Sequence, residues 1–359
     1  MRTQLALYYR RLASKGSQCL GDSLLLAVLI PIGWLYGVVN FIRAWLYQQE
    51  WLTSYCSPVP VISVGNLAVG GTGKTPLVDY LLSSQLQRGR RVAVVSRGYG
   101  SEKGAAVRVV CAGDGPLLSA QQCGDEPYLL ARRNPEAVVI IAPQRSAGIR
   151  HAIEQFNIDL VLLDDGYQHL AVQRDLNLLL LDSGCPLGNG YLLPAGLLRE
   201  FPSAATRADL CIFTRYKNHE IPLLPCAKPV VRATQQLANS AQDLLGNDYS
   251  VEQLRQGCCV AFAGIASPDS FFIFVIKSGI VLQNVLPLPD HCVYSAAVIE
   301  QINAMANEAD FLLTTEKDAV KLDATQFSVP CCSFPLIFEP QEVDVLEQHV
   351  EALFVPRIK

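Results

Sequence analysis

The sequence predicts an α/β protein. A parallel β-sheet with helices on both faces is preceded by an apolar N-terminal helix and followed by a smaller C-terminal α/β domain. Three observations predict it. Short, uninterrupted apolar runs recur, the mark of strands buried on both faces. Segments of helical spacing alternate with them. A 19-residue stretch without charge, residues 24–42, stands ahead of both. The division expected is 1–56 for the helical, membrane-associating segment, 57–220 for the core and 221–359 for the smaller domain. A Pro-rich linker is expected near 216–235.

The first element is residues 24–42, long enough at about 1.5 Å per residue to approach the width of a hydrocarbon core. Arg2, Arg10, Arg11 and Lys15 precede it and Arg43 ends it. Trp34, Trp45 and Trp51, of a residue type that favours membrane interfaces, accompany it. Three readings stay open: a helix lying in one leaflet, a membrane span, or a buried core helix. Pro31 and Gly33 interrupt the run and favour the first.

After Pro58 and Pro60 the strands follow in order. Residues 59–64, 91–96, 137–142, 160–163, 176–181 and 210–213 are apolar runs of strand length. Between the first two, residues 75–87 place Leu77, Leu81, Leu82 and Leu86 at helical spacing, and Gly89 stops the helix. In the C-terminal domain, residues 258–263, 271–276 and 311–314 read as strands and 296–307 as a helix.

The segment between the first strand and first helix carries Gly70-Gly71-Thr72-Gly73-Lys74-Thr75. Glycines let backbone N–H groups approach phosphate oxygens, and the helix N-terminus adds partial positive charge. Lys74 reaches the outer phosphates and the Thr75 hydroxyl suits Mg²⁺. This is a P-loop NTPase-like arrangement, with ATP as the expected nucleotide. The strict spacing G-x-x-x-x-G-K-[ST] is not met, because Ala68 stands where its first glycine belongs. The run at 160–163 ends in Asp164 and Asp165. Carboxylates at a parallel strand's carboxyl end, near a phosphate loop, suit Mg²⁺. His169, four residues on, fits a ligand, a substrate contact or a turn residue equally.

Further blocks accompany these: Ser96-Arg97-Gly98-Tyr99-Gly100, Gly124-Asp125-Glu126-Pro127 and Asp164-Asp165-Gly166-Tyr167-Gln168-His169. Then come Asn189-Gly190-Tyr191-Leu192-Leu193-Pro194-Ala195-Gly196 with Arg199-Glu200, Pro289-Asp290-His291, and Thr314-Thr315-Glu316-Lys317-Asp318. Taken in order, they resemble the tetraacyldisaccharide 4'-kinase family. The resemblance implies transfer of the γ-phosphate of ATP to the 4'-hydroxyl of a tetraacyldisaccharide 1-phosphate, giving lipid IVA in lipid A biosynthesis. It implies Asp125 and His291 as the base, with Lys74 as the phosphate contact. Thr75, Asp164, Asp165 and Glu200 are implied at Mg²⁺, and Arg97, Gln168, His169 and Arg199 as shaping the site. It also implies a peripheral or monotopic enzyme on the cytoplasmic face of a bacterial inner membrane. Departures are Cys292 after His291, where a second histidine is common, and Leu197 after Pro-Ala-Gly, where proline is common. Neither removes a charged group.

Other function classes are weaker. Net charge is −4, from 29 basic and 33 acidic residues, which gives no basis for nucleic-acid binding. The twelve cysteines contain no C-x-x-C and read as reduced core residues. No obligate protein partner is evident. A switch or assembly NTPase and a soluble small-molecule kinase remain as alternatives, neither needing an apolar N-terminal anchor. Asp125 and His291 fall in different expected domains, so the site would be completed where these meet.

Overall fold

The computed structural model describes residues 8–9, 11–14, 16–102, 104, 106–216 and 228–355. Arg2, Arg10 and Lys15, and residues 217–227 of the expected linker, lie outside the described residues.

The first sheet has nine strands in the order β15-β8-β7-β6-β1-β5-β2-β4-β3. These are β1 (Val61–Asn66), β2 (Val92–Ser96), β3 (Arg108–Ala112), β4 (Val138–Ile141), β5 (Leu160–Asp164), β6 (Leu176–Asp182), β7 (Leu210–Thr214), β8 (Val230–Leu237) and β15 (Leu336–Pro340). The pairs from β8 to β4 are parallel, and β3 and β15 close the edges antiparallel. β1 lies between β5 and β6 and is buried at every position. Such a strand has no solvent face, which explains its continuous apolar sequence.

The second sheet has six strands in the order β10-β9-β14-β13-β11-β12. They are β9 (Ser240–Asp243), β10 (Asp248–Ser250), β11 (Cys259–Ala263), β12 (Leu282–Pro287), β13 (Phe311–Thr315) and β14 (Cys331–Phe334). The chain passes between the sheets twice. β8 and β15, both C-terminal to residue 221, pair with one another and extend the first sheet through β7. The final helix also packs on the first core, burying Leu346 and Val350 there.

Residues 271–276 are not a strand. They lie in a helix, Pro268–Lys277, in which Phe271, Phe272 and Val275 face the core and Ile273 and Ile276 face outward. Pro268 at the first helical position is the local start signal that the apolar run obscured. Several helices escaped the sequence reading, among them Val251–Gln256, Val343–Glu351 and two that flank the site. Asp125–Arg133 carries Asp125 and Glu126 in its first turn and Arg132 and Arg133 in its last, matching the helix dipole. Arg145–Phe156 follows β4. Cys111, Cys123, Cys259, Cys331 and Cys332 are buried free thiols.

The N-terminal helix α1 (Leu20–Gln48) runs unbroken through Pro31. Gly33 and Gly37 do not interrupt it but form its seam. A Cβ on Gly33 would stand 3.0 Å from the Leu192 carbonyl, and one on Gly37 2.7 Å from the Phe201 ring. Leu24, Val28, Leu35, Val39 and Phe41 are exposed. That exposure removes the buried-core reading of this helix.

Gly65 faces Tyr167, whose Cβ and backbone N would lie 2.6 and 2.8 Å from an added methyl group. Gly65→Ala is therefore expected to lower stability by about 1–3 kcal/mol through overpacking. Urea unfolding of the purified protein checks this.

Candidate active site

The site forms where strand ends meet. β1 hands the chain to residues 67–73, and α2 (Lys74–Gln87) begins at once. Gly73 has φ +85°, a turn that only glycine enters without strain. Ala68 is outside this turn: it bridges antiparallel to Leu198, while Val69 N–H donates to the Leu197 carbonyl at 2.8 Å. The unusual spacing thus reflects a longer approach to the phosphate loop, pinned to residues 197–199. Thr214 Oγ1 donates to the Thr72 carbonyl at 2.7 Å and Arg215 Nη2 to that of Gly71 at 2.8 Å. Both loop carbonyls are thereby held by the end of β7.

Asn66, the last residue of β1, organises the interior. Its Nδ2 donates to Thr72 Oγ1 at 3.0 Å, and its Oδ1 accepts from Lys74 Nζ at 3.3 Å. Lys74 Nζ also lies 3.3 Å from Asp165 Oδ1. Asp165 takes two bonds from Arg199 Nη1, at 3.0 and 2.8 Å. Gln168 joins the group, donating to the Asn66 carbonyl at 2.8 Å and accepting from Arg199 at 3.3 Å. Burial opposes ionisation of Asp165, but Lys74 and Arg199 outweigh it and hold its carboxyl below the ordinary value.

Asp164 is different. It is buried at the tip of β5, and its Oδ1 has no hydrogen-bond partner. Burial, followed by the nearby Glu126 and Asp165 carboxylates, pushes it up to about 7. An orphaned, electron-rich oxygen beside a phosphate loop is what a hard cation would fill. Among the described residues no three His, Cys, Asp or Glu side chains converge as an all-protein metal site. Mg²⁺ needs none, since it is bound through one or two carboxylates, phosphates and water.

The carboxyl ends of the second sheet complete the cleft. Its walls include Gly70–Lys74, Glu126 and Arg133 on one side and Ile265–Ser267 and Thr315–Lys317 on the other, around about 220 Å³. Lys317 Nζ donates to Glu126 Oε1 at 2.6 Å. Arg133 bridges Asp79 and Glu316. One residue before Glu126, Asp125 Oδ2 lies 3.3 Å from His291 Nδ1. His291 has φ +54° and its N–H donates to the Gly264 carbonyl at 3.1 Å. The Tyr99 ring lies 5.5 Å away. Burial works against the Asp125 anion, yet the bond from His291 and the Lys321 charge hold its carboxyl below the ordinary value.

The tetraacyldisaccharide-1-P 4'-kinase family matches residues 25–354. The chain belongs to that family. It is 50% identical to the tetraacyldisaccharide 4'-kinase of Syntrophotalea carbinolica, over 98% of each chain. It is 44% identical to that of Pelobacter propionicus, over 90% of each. The crystal structure of LpxK from Aquifex aeolicus in complex with ATP is similar at a TM-score of 0.79 and 31% identity, covering 92% of this chain and 99% of that one.

Within this family member, the expected site residues fall into two groups. Lys74, Asp165, Gln168 and Arg199 form one contact network, and Asp125 meets His291. Glu200 is elsewhere engaged, both its oxygens taken by Arg207 at 2.7 and 2.8 Å. His169 is half-buried among cations. Burial, then Arg145, Arg43, Arg174 and Arg97, pushes its imidazole down to about 4, so it is neutral at pH 7. Sequence reasoning missed Asn66, Arg43, Glu126 and Lys317 as contributors. Glu126 and Lys317 stood inside quoted blocks, but their pairing spans 191 positions and leaves no local pattern.

Because Asp164 keeps its proton to about 7 when folded but sheds it near 4 when unfolded, the folded chain binds more protons between those values. In metal-free buffer this contribution to stability is fully present below about 4 and is lost as pH rises through about 7. Denaturant midpoints at pH 5 and 8 should fall further for the natural protein than for Asp164→Asn.

Proposed function

We propose that the protein transfers the γ-phosphoryl group of ATP to the 4'-hydroxyl of a tetraacyldisaccharide 1-phosphate, producing lipid IVA for lipid A biosynthesis. The contact between Asp125 and His291, one residue from a cleft wall that also holds Lys74, carries this reading. A sugar hydroxyl is too weak an acid to attack unaided at neutral pH, so a base must take its proton.

Each group has a task in this mechanism. The loop around Gly70–Gly73 and the N-terminus of α2 cradle the phosphates, and Lys74 balances charge on the one being transferred. Asp125 fixes the His291 tautomer by accepting from Nδ1–H, leaving Nε2 free to take the hydroxyl proton. The oxygen so exposed attacks phosphorus as the bond to the β-phosphate oxygen breaks. Thr75, with Asp164 and its unpartnered Oδ1, would hold Mg²⁺; Asp165 and Arg199 sit beside it, and Glu200 acts more remotely by fixing Arg207. When bound, the ion neutralises charge on the phosphates. The exposed Arg43 and Arg97 near His169 offer positive charge suited to the acceptor's own 1-phosphate. Arg43 brings its share of that charge from α1.

The exposed apolar side of α1 supports a seat in the cytoplasmic face of the inner membrane, where a lipid acceptor is available without leaving the bilayer. A switch or assembly NTPase would need neither this helix nor a base aimed at a hydroxyl.

Incubation with γ-labelled ATP and a lipid A precursor bearing a free 4'-hydroxyl should label the lipid; label found only in inorganic phosphate would overturn the assignment. Asp125→Ala and His291→Ala should each lower kcat about 10²–10⁴-fold, the usual worth of a general base, and full turnover in both would remove the base. The double variant Val28→Glu and Leu35→Glu should release the protein from sedimenting vesicles.

A further inference from the structure

The reading of Asp125 and His291 as the base leaves one cation beside them unexplained. Lys321 follows the short helix Glu316–Ala319. Its Nζ lies 3.3 Å from Asp125 Oδ2, the same oxygen that His291 Nδ1 approaches at 3.3 Å. It also lies 3.4 Å from Asp318 Oδ1 and 5.5 Å from the centre of the Tyr294 ring. The side chain is largely buried.

Asp318 is wholly buried and braces both members of the pair. Its Oδ2 accepts from Gly264 N–H at 2.9 Å and from Thr315 Oγ1 at 2.7 Å. Gly264 in turn accepts from the backbone N–H of His291 at 3.1 Å. One branch from Asp318 therefore runs through Gly264 to His291, and the other through Lys321 to Asp125. The two branches rejoin at Asp125 Oδ2. Asp125 belongs to the first α/β unit, whereas the other members belong to the second.

We infer that Lys321 is a positioning residue that holds Asp125 ionised and sets the proton affinity of the Asp125–His291 pair. The inference rests on the base assignment above. The titratable groups facing Asp125 are His291, Lys321, Lys317 at longer range and the neutral Cys123 thiol. Those facing Lys321 are Asp125, Asp318 and the Cys292 thiol, with the Tyr294 ring beneath it. Lys321 is thus the cation nearest the shared oxygen apart from the imidazole itself. A fixed positive charge there favours the anion of Asp125. Without it, the pair would hold its proton to higher pH and be unavailable as a base over more of the acid range.

The test is the pH profile of kcat/KM for the lipid acceptor, measured on the full chain in mixed micelles at saturating ATP and Mg²⁺. Lys321→Met should move the acid limb upward by about one pH unit, the lower end of what a close opposite charge does to a carboxylate. Lys321→Arg keeps the charge and should hold the limb near its original place. A purely structural lysine predicts lower activity at every pH with the limb unmoved, and that result in Lys321→Met overturns the inference. Should Lys321→Met fail to fold, Lys321→Gln takes its place and is read the same way: an upward shift of the limb supports the inference, and an unmoved limb overturns it. The base assignment is judged separately, by Asp125→Ala and His291→Ala. If both lose turnover while Lys321→Met leaves the limb in place, only the role of Lys321 fails.

Discussion

A carboxylate buried at a strand tip must be matched by positive charge, by a proton or by a metal ion, and the site is arranged around that demand. Asp165, Asp164 and Glu126 lie close enough to influence one another's ionisation. Each is answered differently. Asp165 takes Lys74 and Arg199, Glu126 takes Lys317, and Asp164 is left with one oxygen unpartnered. Lys74 is thus held by Asp165 and Asn66 rather than swinging in solvent. An incoming triphosphate would meet a lysine already aligned, although it must compete with Asp165 for that charge. Asp165 could keep Arg199 as its partner through such an exchange, which gives the second cation a reason to be there.

The same demand explains why the active site needs two sheets. One parallel sheet gathers chemistry at its carboxyl edge, and here that edge supplies the phosphate loop and the Asp164–Asp165 tip. The histidine that meets Asp125 comes from the second unit. His291 and Lys317 arrive from the carboxyl edge of the second sheet and carry their charge or proton affinity to acidic residues of the first. Each unit alone would leave acidic groups short of partners at the cleft. Contact between the units is therefore favoured by the same charges that would serve catalysis.

Much of the first sheet was legible because burial on both faces forces an unbroken apolar run. β1, β2, β4, β5, β6 and β7 all have that character. β8, with the sequence Val-Val-Arg-Ala-Thr-Gln-Gln-Leu, and β12, which carries Gln283 and Asn284 and is largely exposed, do not. The Phe-rich run at 271–276 failed for the opposite reason: its apolar residues exceed what one helix face buries, so the periodicity that marks a helix was erased. The phosphate loop was readable because its chemistry is local in sequence, and the Asp164–Asp165 tip for the same reason. The Glu126–Lys317 and Asp125–Lys321 pairs were not. Nothing about a lysine in Glu-Lys-Asp announces a partner 191 positions away. For Asp125 and His291, only the family resemblance joined two residues that the chain separates by 166 positions.

The N-terminal helix couples to this chemistry by a short route. Asn40 Nδ2 donates to the Arg199 carbonyl at 3.3 Å, and the Gly33–Gly37 seam seats the helix on Leu192 and Phe201. Residues 192–201 are also the segment that pins the phosphate-loop approach through Leu197 and Arg199. One stretch of chain thus touches the apolar helix on one side and the nucleotide loop on the other. Small residues at a helix seam permit close backbone approach, and close approach leaves little slack. Were α1 seated in a bilayer as proposed above, its depth there would set the height of the phosphate loop. For an acceptor whose acyl chains stay in the membrane and whose hydroxyl must reach the γ-phosphate, that height is the distance the reaction has to close.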